Sequence, residues 1–282
     1  MPQMTTPRQI VVATDFSPAS NAAVRVATTM AQVFKVKVTL LHVFEYVPNH
    51  RYPVPVGWMV EIIRRDIRSK LEETKNTLRQ SGIETETRML EGGNPARQIL
   101  SFIQVCESPL LVMGTHAVAG MERFLLGSTA EEVLRQIKWP VITVGPFVAS
   151  GMESHAGVRR ILFATDFSET SLTVIPFMLA LQQSSGAQLR VLHVSGDHMS
   201  EKEENKQFDA VRNALHAAQG AEYITLHGDN ISQAVVNEAE RYPADLLVLG
   251  IRRATEPAAH LAPKIAFQIV AAAPCAVLTV AS

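Results

Sequence analysis

At 282 residues the chain exceeds a typical domain of ~100–200 residues, so two domains, each with its own core, are expected. Its 26 Lys and Arg against 27 Asp and Glu leave neither the basic excess that drives nucleic-acid binding nor an acidic tail. The longest apolar run, IVAAAPCAVLTVA, falls short of the ~18–20 residues of a membrane span and is broken by Pro274, so neither a nucleic-acid nor a membrane partner is expected.

The N-terminal MPQMTTPRQIVVATDF has no basic segment leading into a long apolar stretch, so no export signal is expected and the first strand falls near 9–14. Pro18 suits the first turn of a helix capped by Ser17 in SPASNAAVRVATTMAQVF. A second strand follows near 36–43, and then PNHRYPVPVGW, read as a flap over a site. EIIRRDIRSKLEETKNTLRQSG is a charged amphipathic helix ending at Gly82. Strands near 85–90, 109–114 and 140–145 alternate with the helices PARQILSFIQV and STAEEVLRQI. The strands are read as Val-, Ile- and Leu-rich without polar alternation, as buried parallel strands are.

The pattern then repeats. IVVATDFSPAS from Ile10 returns as ILFATDFSETS from Ile161, and LLHV from Leu40 returns as VLHV from Val191, both 151 residues on. LEGGN from Leu90 returns as LHGDN, and PLLVMG ending at Gly114 as DLLVLG ending at Gly250, now 136 residues on. The 15 lost residues fall in the segment after LLHV. The expected architecture is α/β: two tandem Rossmann-like domains, 1–148 and 157–282, each an open five-stranded parallel sheet with helices on both faces. FVASGMESHAG, residues 147–157, is read as the linker.

Cys106 and Cys275 lie far apart inside apolar stretches, which suits buried thiols in a reducing, cytoplasmic setting. His42 and His193 occupy equivalent strand ends, which argues for a shared structural role. Neither stands in a HExxH-like arrangement, so no metal ligand is assigned. No GxSxG elbow accompanies Asp15 or Asp166, so no catalytic residue is assigned.

An open parallel sheet binds ligands at the carboxyl ends of its strands. That gathers ATDFS, HVF and the loop after the fourth strand, where Gly114 admits a backbone or a phosphate at close range. Gly127, followed by Ser128 and Thr129, opens a helix whose free N–H groups favour an anion. Asp15 suits a ligand hydroxyl or amino group. Spacing alone does not decide for a nucleotide, because G-x-G-x-x-G and the Walker lysine pattern are both absent.

ATDFS, LLHV and MERFLLGSTAEEVL, taken with the tandem repeat, resemble the universal stress protein family, of adenine-nucleotide α-hydrolase-like fold. Nucleotide-binding members carry G-x2-G-x9-G followed by Ser or Thr. Here Gly114, Thr115, His116 and Ala117 are followed by nine residues and Gly127-Ser128-Thr129, with alanine at the middle glycine position. The resemblance implies Ala13, Thr14 and Asp15 near adenine and ribose, and Val43 as backbone partner of the base. It places Met113, Gly114, Ala117, Gly127, Ser128 and Thr129 around ribose and phosphates, with Arg123 read as a solvated loop residue.

The implied ligand is ATP, with ADP and AMP as alternatives and Mg as a companion of the nucleotide. The implied role is a cytoplasmic stress-response module in which nucleotide regulates rather than fuels chemistry; the alternative works through protein partners alone. The second half offers Gly250, Ile251, Arg252 and Arg253, nine residues, then Pro263-Lys264, which reads as a degenerate site because proline has no N–H to give a phosphate. The resemblance further implies that the closing strands VITV and VLTV meet, making an internal pseudo-twofold pair, with a homodimer as a further possibility.

Overall fold

Strand and helix alternate because the inner strands are apolar on both faces while each long helix is apolar on one. The computed structural model describes residues 6–45, 57–115, 126–151, 157–196, 201–215, 220–251 and 262–281. In the first half the order is β1 (Gln9–Ala13), α1 (Pro18–Phe34), β2 (Lys37–Phe44), α2 (Gly57–Gln80), β3 (Thr85–Glu91), α3 (Pro95–Gln104), β4 (Pro109–Gly114), α4 (Ser128–Gln136) and β5 (Val141–Val144). A short helix, α5 (Pro146–Gly151), follows.

The second half runs β6 (Arg160–Ala164), α6 (Glu169–Leu172), α7 (Ile175–Ser185), β7 (Gln188–Ser195), α8 (Glu201–Ala214), β8 (Glu222–His227), α9 (Ile231–Arg241), β9 (Leu246–Ile251), α10 (Ala262–Ala272) and β10 (Ala276–Ala281). The five expected first-half strands and the four helices appear at the expected places. The linker reading is corrected in part. Pro146 opens α5, a position where its fixed φ and missing N–H cost nothing, and Val148 is 1% exposed within the core.

The strands form one ten-stranded sheet in the order β3-β2-β1-β4-β5-β10-β9-β6-β7-β8. Within each half all neighbours are parallel; β5 and β10 pair antiparallel, with Leu278 opposite Ile142. The two five-stranded sheets expected from sequence are thus continuous. Strand order reverses between β1 and β4, and again between β6 and β9, which opens a crevice at the carboxyl ends of each pair. The expectation that every strand is free of polar alternation fails at the rims: β3 (TETRMLE) and β8 (EYITLH) are the sheet's edges, where charge and partial exposure discourage further pairing.

Successive strand residues serve opposite faces. Ile10, Val12, Leu40 and Val112 pack under α1 and α2, while Val11, Leu41, Leu111 and Met113 pack under α3 and α4. The first of these cores continues into the second half, where Phe177 of α7 meets Phe34 of α1 with ring centroids 5.6 Å apart. Where the first half has one helix, the second has α6 and α7. Pro176 explains the break, since it donates no N–H and its ring opposes the carbonyl of Leu172 four residues back. Both cysteines are free: Cys275 is buried, with its thiol pushed up to about 12 by desolvation, whereas Cys106 is only half-buried, contrary to the sequence reading.

Gly114 ends β4 directly against the first turn of α1. A Cβ there would stand 2.6 Å from the carbonyl carbon of Ala19 and from the backbone N of Ser20. Gly250 repeats the arrangement, with a Cβ 2.5 Å from Cα of Ser171 and from the carbonyl oxygen of Thr170. Of the two approaches the sequence allowed, backbone or phosphate, the one that leaves no room for a Cβ is backbone. Gly114→Ala and Gly250→Ala are each expected to destabilise the chain by about 1–3 kcal/mol through overpacking, measured by urea unfolding; an unchanged midpoint would contradict the packing role.

Candidate functional site

The site begins with the turn that leaves β1. The backbone N–H of Thr14 still bonds to the carbonyl of Leu41 on β2, at 2.9 Å, so the chain breaks from the sheet only after Thr14. Its hydroxyl, 7% exposed as a residue, accepts from the N–H of Phe16 at 3.1 Å and donates to Ser20 Oγ at 3.2 Å. Asp15 Oδ1 accepts from Ser17 N at 3.0 Å, and Ser17 Oγ caps α1 by accepting from Ser20 N at 3.2 Å. These bonds hold Phe16 at φ 63°, a left-handed conformation that a bulky side chain adopts only under constraint.

His42 supports the turn from β2. Its Nδ1–H donates to the carbonyl of Thr14 at 2.8 Å, and its ring stacks on Phe16 with centroids 4.9 Å apart. Burial lowers its pKa, against the opposing pull of the Thr14 carbonyl and Asp15, so the neutral imidazole is the form that holds the turn. The second half repeats the whole device. Phe167 stands at φ 61°, its N–H bonds to Thr165 Oγ1 at 2.9 Å, and His193 Nδ1 donates to the Thr165 carbonyl at 2.9 Å. The shared structural role read for the two histidines is what the bonds display.

Beside this turn, at the crevice between β1 and β4, lies a cavity of about 420 Å³. Ala13, Thr14, Asp15, Val43, Met113, Gly114, Gly127, Ser128 and Thr129 all line it, so nine of the ten residues singled out from sequence come together. Ala117, with His116, Arg123 and residues 48–56 of the expected flap, lies outside the described residues; the last two flap residues, Gly57 and Trp58, instead open α2. Sequence reasoning missed Leu41, Glu45, Pro95 and Ile99, which give the cavity an apolar wall and a second carboxylate. Leu41 and Glu45 flank Val43 on the second strand end. Pro95 and Ile99 lie on α3, directly after the LEGGN repeat, and that repetition was the available signal.

Three helices begin at this cavity, and their ends differ. Ser17 caps α1, and Asn94 Oδ1 caps α3 by accepting from Arg97 N at 3.0 Å. α4 starts from Gly127, which has no side chain to cap it; the first helical bond runs from Glu131 N to the Gly127 carbonyl at 2.9 Å. Among the described residues no side chain caps the first turn of α4, and the helix dipole favours negative charge at that end. Gly127 itself has φ −59° and ψ 142°, a conformation open to any residue, so it is absence of a side chain and not a special backbone that it supplies.

The corresponding cavity of the second half holds about 200 Å³. Asp166 stands at its rim. Partial burial raises the pKa of this carboxyl, but hydrogen bonds from the hydroxyl and N–H of Ser168, at 2.6 and 3.0 Å, together with Ser171 and its own backbone N–H, outweigh that and hold it below the usual range. Here α10 opens with Ala262-Pro263, so a first-turn N–H is missing where α4 presents one.

Comparisons with known proteins bear on the family and the fold. The model of the universal stress protein family matches twice, at residues 6–145 and 157–281. A universal stress protein of Methanocaldococcus jannaschii is 33% identical over 139 residues, 49% of this chain and 81% of that protein. One from Mycolicibacterium smegmatis is 25% identical over 207 residues, 69% of this chain and 66% of that protein. Among solved structures, a universal stress protein from Archaeoglobus fulgidus superimposes with a TM-score of 0.76 at 17% identity, covering 97% of this chain and 98% of the other. With both halves matched by the family model, the chain belongs to the universal stress protein family.

Proposed function

We propose that the first half binds an adenine nucleotide, ATP in the first instance, and that the protein acts in the cytoplasm as a nucleotide-dependent regulatory or interaction module of the stress response. The observation that carries this reading is the uncapped first turn of α4 on the cavity wall, beside the hydroxyls of Ser128 and Thr129. Phosphate oxygens satisfy those N–H groups. Asp15 and the strand end at Val43 offer acceptors to sugar and base, and Leu41, Ile99 and Met113 supply an apolar wall for the ring. The volume, about 420 Å³, lies within the ~300–1,000 Å³ of small-molecule sites.

The second half is proposed to bind no nucleotide, on its smaller cavity and on Pro263. The rival reading, action through protein partners with both cavities free of nucleotide, is favoured by one residue, Ala117 in place of the family glycine.

Gly127→Val is expected to abolish ATP binding in calorimetric titration while the chain still folds, because φ −59° accepts a branched residue whose side chain then occupies the phosphate position. Gly127→Asp should do the same by a different route. Its carboxylate caps α4 in place of phosphate, so affinity is lost while the unfolding free energy holds or rises by about a few tenths of a kcal/mol. Unchanged affinity in either folded variant would remove the proposed phosphate site.

Ala117→Gly is expected to leave affinity equal or raise it by up to about ten-fold, the larger value if position 117 takes a left-handed conformation. Weaker binding in that variant would show that the alanine methyl contacts the ligand.

A further inference from the structure

The second cavity keeps the scaffold of the first but not its chemistry. The turn from β6 is duplicated, and its polar groups are consumed internally: Thr165 Oγ1 accepts from Phe167 N, while Thr165 and Ser171 share a hydrogen bond of 2.9 Å. Around it the walls have turned apolar. Ile265 stands where the first half has Thr129, Leu249 where it has Met113, and Ile231 where it has Pro95. Leu192, Leu249 and Ile269 are 0%, 5% and 3% exposed, so the floor is part of the core. Ile231, by contrast, is 38% exposed at the cavity, an apolar side chain with solvent over it.

We infer that this second cavity is a binding site for a small, mostly apolar molecule carrying one hydrogen-bond donor, a hydroxyl or an amine, at the end that meets Asp166. Size sets the scale. An apolar cavity of ~150 Å³ takes a six-carbon ring and does not fill stably with water, and this one measures about 200 Å³. At about half the volume of the first cavity, it favours a ligand smaller than a nucleotide. Asp166 sets the polarity: its Oδ1 is fixed by the two Ser168 donors, which orient the carboxylate at the rim, and an anionic ligand would meet it as a like charge. A ligand seated here also removes Ile231 from water. The inference does not depend on a nucleotide in the first half.

The test is titration of the full chain with three probes of one shape: cyclohexanol, cyclohexylammonium and cyclohexanecarboxylate, followed by ligand-observed NMR. Cyclohexanol or cyclohexylammonium is expected to bind, and the carboxylate at least about ten-fold more weakly. Equal binding of the first two identifies a hydroxyl-type site, and tighter binding of the ammonium an amine site. Val235→Phe, which fills the cavity, should abolish binding of both; binding that persists in that variant would put the probe elsewhere. Should Val235→Phe fail to fold, Asp166→Asn carries the test, since the amide oxygen can still accept from Ser168 N. It should weaken cyclohexylammonium by about ten-fold. No binding of any probe up to roughly 10 mM, a carboxylate that matches the ammonium, or an unchanged ammonium affinity in Asp166→Asn would each overturn the inference.

Discussion

The backbone of Ala19 and Ser20 lies so close to Gly114 that the strand can carry no side chain there, and the placing of both cavities follows from contacts of this kind. Because β4 and the first turn of α1 touch at the backbone, the turn between β1 and α1 is pinned over the reversal point of the sheet. Thr14, Asp15, Phe16 and Ser17 are then held by one another and by His42. The second half has the same contact at Gly250 and the same turn at Thr165–Ser168. A left-handed phenylalanine is costly, and it persists twice because the surrounding bonds over-determine it.

That duplication separates scaffold from chemistry. Features kept in both halves, namely the strand-end glycine, the Thr-Asp-Phe-Ser turn and the histidine beneath it, are explained by packing and hydrogen bonding within the chain. The cavity wall differs between the halves at two points: the first has Gly127 at an uncapped helix start, and Thr129 where the second half has isoleucine. The folding contacts are thus preserved in two copies, while a glycine-started helix end on the cavity is preserved in one. The antiparallel meeting of β5 and β10 then makes the two sites parts of one sheet.

Much of the fold was legible for definite reasons. Inner strands covered on both faces must be apolar throughout, so IVVA and LLVM stand out. Ser17-Pro18, Asn94-Pro95 and Gly82 mark helix ends by capping and φ requirements that only a few residue types meet. The edge strand TETRMLE was placed correctly but misdescribed, because exposure at a sheet rim depends on strand order, which local pattern does not encode. Gly114 was legible as a place of close approach, but a sequence does not say what approaches. Likewise the stacking of His42 on Phe16 joins residues 26 positions apart, and only its repetition in His193 and Phe167 hinted at it. Leu41 was missed at the site because a wall residue is indistinguishable from a core residue until the cavity exists, whereas Pro95 and Ile99 had only the preceding repeat to mark them.

The central claim is an asymmetry: one nucleotide site per chain, in the first half. Native mass spectrometry of the freshly purified, unmodified protein, with quantification of the small molecules it releases, tests this directly. The account predicts that, after incubation with excess ATP, one equivalent of adenine nucleotide per chain is retained and released on denaturation. Two equivalents would contradict the loss of the second site, and none would contradict the nucleotide reading itself.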